Sequence, residues 1–145
     1  MVQTLREAAW APLLVFCLVV AAAGIFDAYT RFPLLDVPTH FLGGAAVTYF
    51  FWCASANIQS VACPLPNTRR AVLAFGCTAA TTILWEIIEF VSDRSLGTHL
   101  QHGVGDTGSD IFFGLAGGVA YLVLRRSFAP FLSTHFSRRP PDERT

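Results

Sequence analysis

Three of the ten carboxylates in this 145-residue chain stand on one helical stripe: Glu86, Glu89 and Asp93, at i, i+3 and i+7. Thr78 and Thr82 extend the stripe toward the other end of the same segment. Two carboxylates one turn apart in apolar surroundings repel each other unless something compensates. A divalent metal, a shared proton, or Arg31 or Arg94 folding back would serve. A second row, His40, Gly44 and Thr48, repeats every four residues, and Asp36 continues it if the helix begins early. Asp106, Asp110, Gly114 and Gly118 form a third. Carboxylates with a histidine make a hard-to-borderline ligand set, suited to Mg, Mn, Fe or Zn. The expected metal ligands are His40, Glu86, Glu89, Asp106 and Asp110, with Asp36, His99 and His102 as secondary candidates. Glu86, Glu89 and His40 are also the candidates for acid/base catalysis. The repeated Glu-x-x-His of carboxylate-bridged two-metal bundles is missing, and His135 has no assigned role.

Four apolar segments must position these groups, at about 8–26, 40–56, 71–92 and 110–128. Each approaches the ~20 residues that cross a hydrocarbon core. The composition agrees: 53% hydrophobic, 14% charged, thirteen Phe, mean hydropathy +0.50 and zero net charge. A soluble domain carries about 25% charged residues, and so sparse a charge also excludes a disordered chain or a nucleic-acid-binding surface. The expected fold class is an all-α membrane protein, one four-transmembrane-helix bundle over 1–132 with a tail at 133–145. Ala21–Ala23 resembles a signal-peptidase site, but Glu7 offsets Arg6 in a weak leading region, so the first segment is expected to remain as a span.

All ten basic residues are arginines. With four spans, eight of them share a side with both termini and only Arg31 and Arg94 lie opposite, which predicts cytoplasmic termini. That side carries three carboxylates, and the other carries seven, so the neutral total is a cancellation between two ends. Trp10 and Trp52 are expected near the inner interface. The interfacial alternative for Asp27, Asp36 and Asp93 is that they simply sit at helix ends, as Asp110 would against a helix dipole. Cys17, Cys53, Cys63 and Cys77 show no metal or disulfide spacing and read as buried apolar residues. Gly43–Gly44 and the Gly114–Gly118 pair with Gly117 read as close-packing positions within the bundle, or as a homodimer face.

Three segments taken together, DVPTHFLGG, LWEIIEF and LGTHLQHGVGDTGSDIFFGLAGG, resemble the YjdF-like bacterial inner-membrane proteins, and more distantly VanZ-like membrane proteins. The resemblance rests on Asp36, His40, Glu86, Glu89, Asp106 and Asp110, and it implies a multi-pass protein of the bacterial inner membrane. It also implies a chain shorter than typical members, and it supplies no reaction. Three function classes follow. The first is an enzyme using the acidic/His site, with or without a divalent metal, on a lipid-type substrate at the outer face. The second is a cation or proton transport component. The third is an accessory or assembly subunit of a larger membrane complex. The expected partners are the lipid bilayer and a homo-oligomer or larger complex, with no nucleic acid.

Overall fold

A computed structural model describes residues 6–26, 28–59, 64–98 and 100–136. Asp27, Cys63, His99 and the arginines and acids of 137–145 lie outside the described residues. The described chain is entirely helical: α1 (Trp10–Gly24), a short α2 (Ala28–Arg31), a 3-10 turn (Pro33–Leu35), α3 (Asp36–Gln59), α4 (Asn67–Leu96) and α5 (Val104–Phe136). By length and composition α4 and the Val104–Phe128 stretch of α5 can cross a membrane, while α1 is a shorter apolar helix. The 24-residue α3 is long enough but carries Asp36, His40, Thr48, Ser55 and Asn57.

The helices overrun the predicted spans. Expected starts at 40, 71 and 110 become Asp36, Asn67 and Val104, and α5 continues past 128 and into the predicted tail as far as Phe136. The physical reason is that hydropathy marks where lipid begins, whereas a helix runs on while its backbone hydrogen bonds are met. The α3 start follows directly from the 3-10 turn, and the Thr39 hydroxyl donates to the Asp36 carbonyl at 2.7 Å. Pro38 falls in this first turn, where a missing N–H costs nothing. Extended Pro66 precedes α4, and left-handed Gly97 (φ 66°) ends it.

Helix α3 lies at the centre, packed against α1, α4 and α5. The three rows seen in the sequence face one another there. Gly44 abuts the Gly114 backbone and Gly117 abuts the Phe41 carbonyl, so no side chain separates α3 from α5. Small residues at such positions let membrane helices approach to backbone contact. One layer further along, the Thr48 and Thr78 hydroxyls meet at 2.7 Å, both fully buried, with Gly118 above Thr48. These glycines therefore pack within the chain. Helix α1 is attached mainly through aromatic edges, Trp10 on Tyr49 (6.0 Å) and Phe16 on Trp85 (6.1 Å).

Burial is inverted relative to a water-soluble globule. Thr48, Ser55, Thr78, Glu86 and Asp110 are buried, while Leu13, Leu18, Ile83, Ile87, Phe112 and Val123 lie exposed. Small and polar groups inside with large apolar ones outside is the arrangement that lipid, as solvent, selects. Cys17 shares this outward surface, and Cys53 and Cys77 are half-buried, in place of the expected burial. The reason for Cys17 is that α1 has only α3 as a substantial neighbour among the longer helices.

At the opposite end of the three rows from His40, Trp52 is buried between helices, 6% exposed. The Arg125 Cζ lies 3.7 Å from its ring centroid and the Arg70 Cζ 4.1 Å. Arg70 is held there: Nε donates to the Ser55 hydroxyl at 3.1 Å and Nη2 to the Trp52 carbonyl at 3.1 Å. Trp52 is thus an interhelical residue, whereas Trp10 is exposed.

Candidate metal centre

The first layer of the rows brings α3, α4 and α5 together at their acidic end. Asp36 and His40, one turn apart on α3, meet Asp110 on α5. The His40 Nε2 lies 3.3 Å from Asp36 Oδ1 and 3.8 Å from Asp110 Oδ1. One ligand atom from each of the three residues lies within 4.8 Å of the others. A metal at about 2.1 Å from each ligand sits inside such a triangle after a short inward rotation of the side chains. Asp110 is 2% exposed, and the Ser109 hydroxyl, which also reaches the Asp106 carbonyl, stands 3.3 Å from its Oδ1.

Glu86 approaches from α4. Its side chain is 4% exposed, and neither carboxylate oxygen has a hydrogen-bond partner among the described residues. His40, Asp36 and Asp106 act on its charge through space and the Thr107 hydroxyl stands beside it, while the three clustered ligand atoms are those of Asp36, His40 and Asp110. An orphaned buried carboxylate costs several kcal/mol unless an unseen partner satisfies it. Two carboxylates and one imidazole therefore meet from α3 and α5, with the buried Glu86 carboxylate on α4. The cations expected to compensate stay away: Arg31 and Arg94 are exposed, and Arg94 lies over the Phe90 ring.

The remaining sequence candidates take other places. Glu89 accepts a hydrogen bond from the Trp85 indole of its own helix at 2.7 Å. Asp106 accepts from the His102 backbone N–H at 3.0 Å and lies 3.4 Å from His102 Nδ1, with His102 itself largely exposed. Asp93 organises the α4–α5 connection, accepting from the Thr98 hydroxyl and from the backbone N–H groups of Leu100 and Gln101. The stripe of three α4 acids thus separates into one buried group, one tied to its own helix, and one that shapes a loop.

Two nearby groups were missed by the sequence reading. Thr107 lies beside Glu86 and accepts from Gln101 Nε2 at 2.9 Å, which leaves its own hydroxyl proton free to be donated. Its position one residue after Asp106 in an early-starting helix was the available signal. Tyr29, on α2, has a buried hydroxyl without a hydrogen-bond partner among the described residues. Burial, helped by the charges of Asp36 and Glu89, pushes this phenol above its ordinary range. A lone Tyr in a polar connection carries no spacing signal.

Comparison with known proteins fits the membrane-type exterior. An uncharacterised protein of Thermotoga maritima is 30% identical over 106 residues, covering 71% of this chain and 54% of that protein. The chain therefore spans about half the length of that relative. No solved structure matches. The family model described as "Predicted membrane protein (DUF2238)" matches residues 4–129, nearly the whole described chain. The protein belongs to this predicted membrane protein family.

Proposed function

We propose that this chain is a four-span protein of the bacterial inner membrane with cytoplasmic termini, and that its acidic end binds a divalent metal at the outer face. In this reading α1 and α3 cross the membrane beside α4 and α5. The central position of α3 and the outward apolar surfaces of α1, α4 and α5 support it. The YjdF-like and VanZ-like resemblance belongs to the same reading.

One observation carries the metal assignment: one ligand atom each from Asp36, His40 and Asp110 lies within 4.8 Å of the others, with Asp110 2% exposed. A divalent cation there offsets these carboxylates in a low-dielectric setting, where no described arginine reaches them. Bound metal would polarise a phosphoryl or carbonyl oxygen or lower the pKa of a water. Asp36, His40, Asp110 and Glu86 would hold the ion, and the depth of the site at a helix end favours a lipid-type substrate with an interfacial head group. The close packing of Gly44 on Gly114 and of Thr48 on Thr78 below the site favours a binding site over a through-path for ions.

The test is elemental analysis of the detergent-purified full chain after exchange into Mn, Zn or Mg. The expected result is one tightly held metal per chain, lost in Asp110→Asn with helical circular dichroism retained. Wild-type protein that retains no metal from any of these solutions overturns the reading.

A further inference from the structure

We propose that the basic end of the bundle holds a second site, which binds the phosphate group of an anionic phospholipid through Arg70 and Arg125 on the Trp52 indole. The site shares no residue with the acidic end and goes beyond the metal reading.

The two guanidiniums come from different helices yet rest on the same buried ring, at 4.1 and 3.7 Å. They are thus no farther apart than the roughly 8 Å screening length of physiological salt. Two like charges at that spacing, half-buried, repel each other. The cation–π contacts offset part of that repulsion, and an anion within reach of both groups would offset the rest. None of the ion pairs described above involves Arg70 or Arg125; all lie at the acidic end.

The arrangement is also built rather than merely basic. Arg70 spends two of its N–H groups on Ser55 and the Trp52 carbonyl, which fixes the guanidinium plane and leaves three donors. Arg125 is positioned by the ring alone among the described contacts, so its fork is open. Paired planar forks match the oxygens of phosphate better than a single carboxylate does. Under the orientation proposed above, this end faces the cytoplasm, where basic pockets between transmembrane helices meet the phosphates of anionic lipids. Arg69 and Arg126, next in sequence to each member, are exposed and form no such contact among the described residues. They supply the control for unspecific charge.

The experiment titrates the delipidated full chain, in an uncharged detergent, with short-chain phosphatidylglycerol, inorganic phosphate or diacylglycerol. Indole fluorescence and the thermal midpoint are followed together. Phosphatidylglycerol is expected to bind and raise the midpoint, with affinity falling about tenfold in Arg125→Gln and less than twofold in Arg69→Gln. Arg125→Lys, which keeps the charge without the fork, is expected to fall in between. Equal binding of inorganic phosphate with the same Arg125 dependence supports the phosphate site and assigns it to a soluble source. Diacylglycerol binding as tightly as phosphatidylglycerol overturns the proposal, because the phosphate would then contribute nothing. Equal losses in Arg69→Gln and Arg125→Gln overturn it too, by reducing the effect to surface charge. Helical circular dichroism of Arg125→Gln separates lost binding from lost fold.

Discussion

The two ends of the bundle solve the same physical problem in opposite ways. At the acidic end, carboxylates from α3 and α5 meet one imidazole, and the Glu86 carboxylate is buried on α4. At the basic end, two guanidiniums rest against one indole, and one is pinned by two hydrogen bonds. A guanidinium can borrow an aromatic face and so tolerates partial burial. A carboxylate has no such recourse and needs a proton, a donor or a cation. The acidic end is therefore the one that most needs a proton, a donor or a cation.

The largest effect should come from breaking what both ends share. Gly117→Val places a branched side chain against the Phe41 backbone, which has no flexible atoms to yield. More than ~3 kcal/mol should be lost, beyond the usual cost of overpacking, and neither end should survive. Unfolding by denaturing detergent, followed by circular dichroism, measures it. Glu86→Gln sharpens the contrast with opposite signs. Metal affinity at the acidic end should fall about tenfold, ~1.4 kcal/mol, while the metal-free protein melts no lower than wild type because an orphaned charge is gone. A lower metal-free midpoint would make Glu86 a structural residue.

A smaller change is expected from the middle layer. Replacing Thr48 and Thr78 by Val removes their mutual hydrogen bond, worth about 0.6 kcal/mol on average between membrane helices. A double-mutant cycle on thermal midpoints should return a coupling of that order, with metal binding preserved. Glu89→Gln should matter least. Its carboxylate already answers to Trp85, so metal affinity should move less than twofold by the same titration. A larger loss would place Glu89 inside the site and enlarge the triangle.

The three rows were legible because helical period alone puts His40, Gly44 and Thr48, or Asp110, Gly114 and Gly118, on one face. Their mutual contact was legible in part, since glycines spaced by four mark where backbones approach. The rotation of each helix about its axis was not legible. It decides that Asp36 meets His40 and Asp110 while Glu89, one turn from Glu86, turns to Trp85. Hydropathy marked apolar spans rather than helix ends, and the early helix starts that the rows of Asp36 and Asp106 required are those observed, which also puts Thr107 on a helix. The Trp52 cluster escaped because its members come from α3, α4 and α5, although Trp52 continues the α3 row of His40, Gly44 and Thr48 in steps of four and a second hint lay in Arg70. It continues the α4 row of Glu86, Thr82, Thr78 and Ala74 in steps of four.

Helix α5 runs unbroken from Val104 to Phe136 and carries Asp110 near one end and Arg125 toward the other. Fifteen residues of helical rise hold those two positions about 22 Å apart along the axis. The helix works as a ruler: an interfacial molecule that touches one end cannot touch the other. Helices α3, with His40 and Trp52, and α4, with Glu86 and Arg70, also reach both ends, so any coupling between them would have to travel as a shift of whole rods.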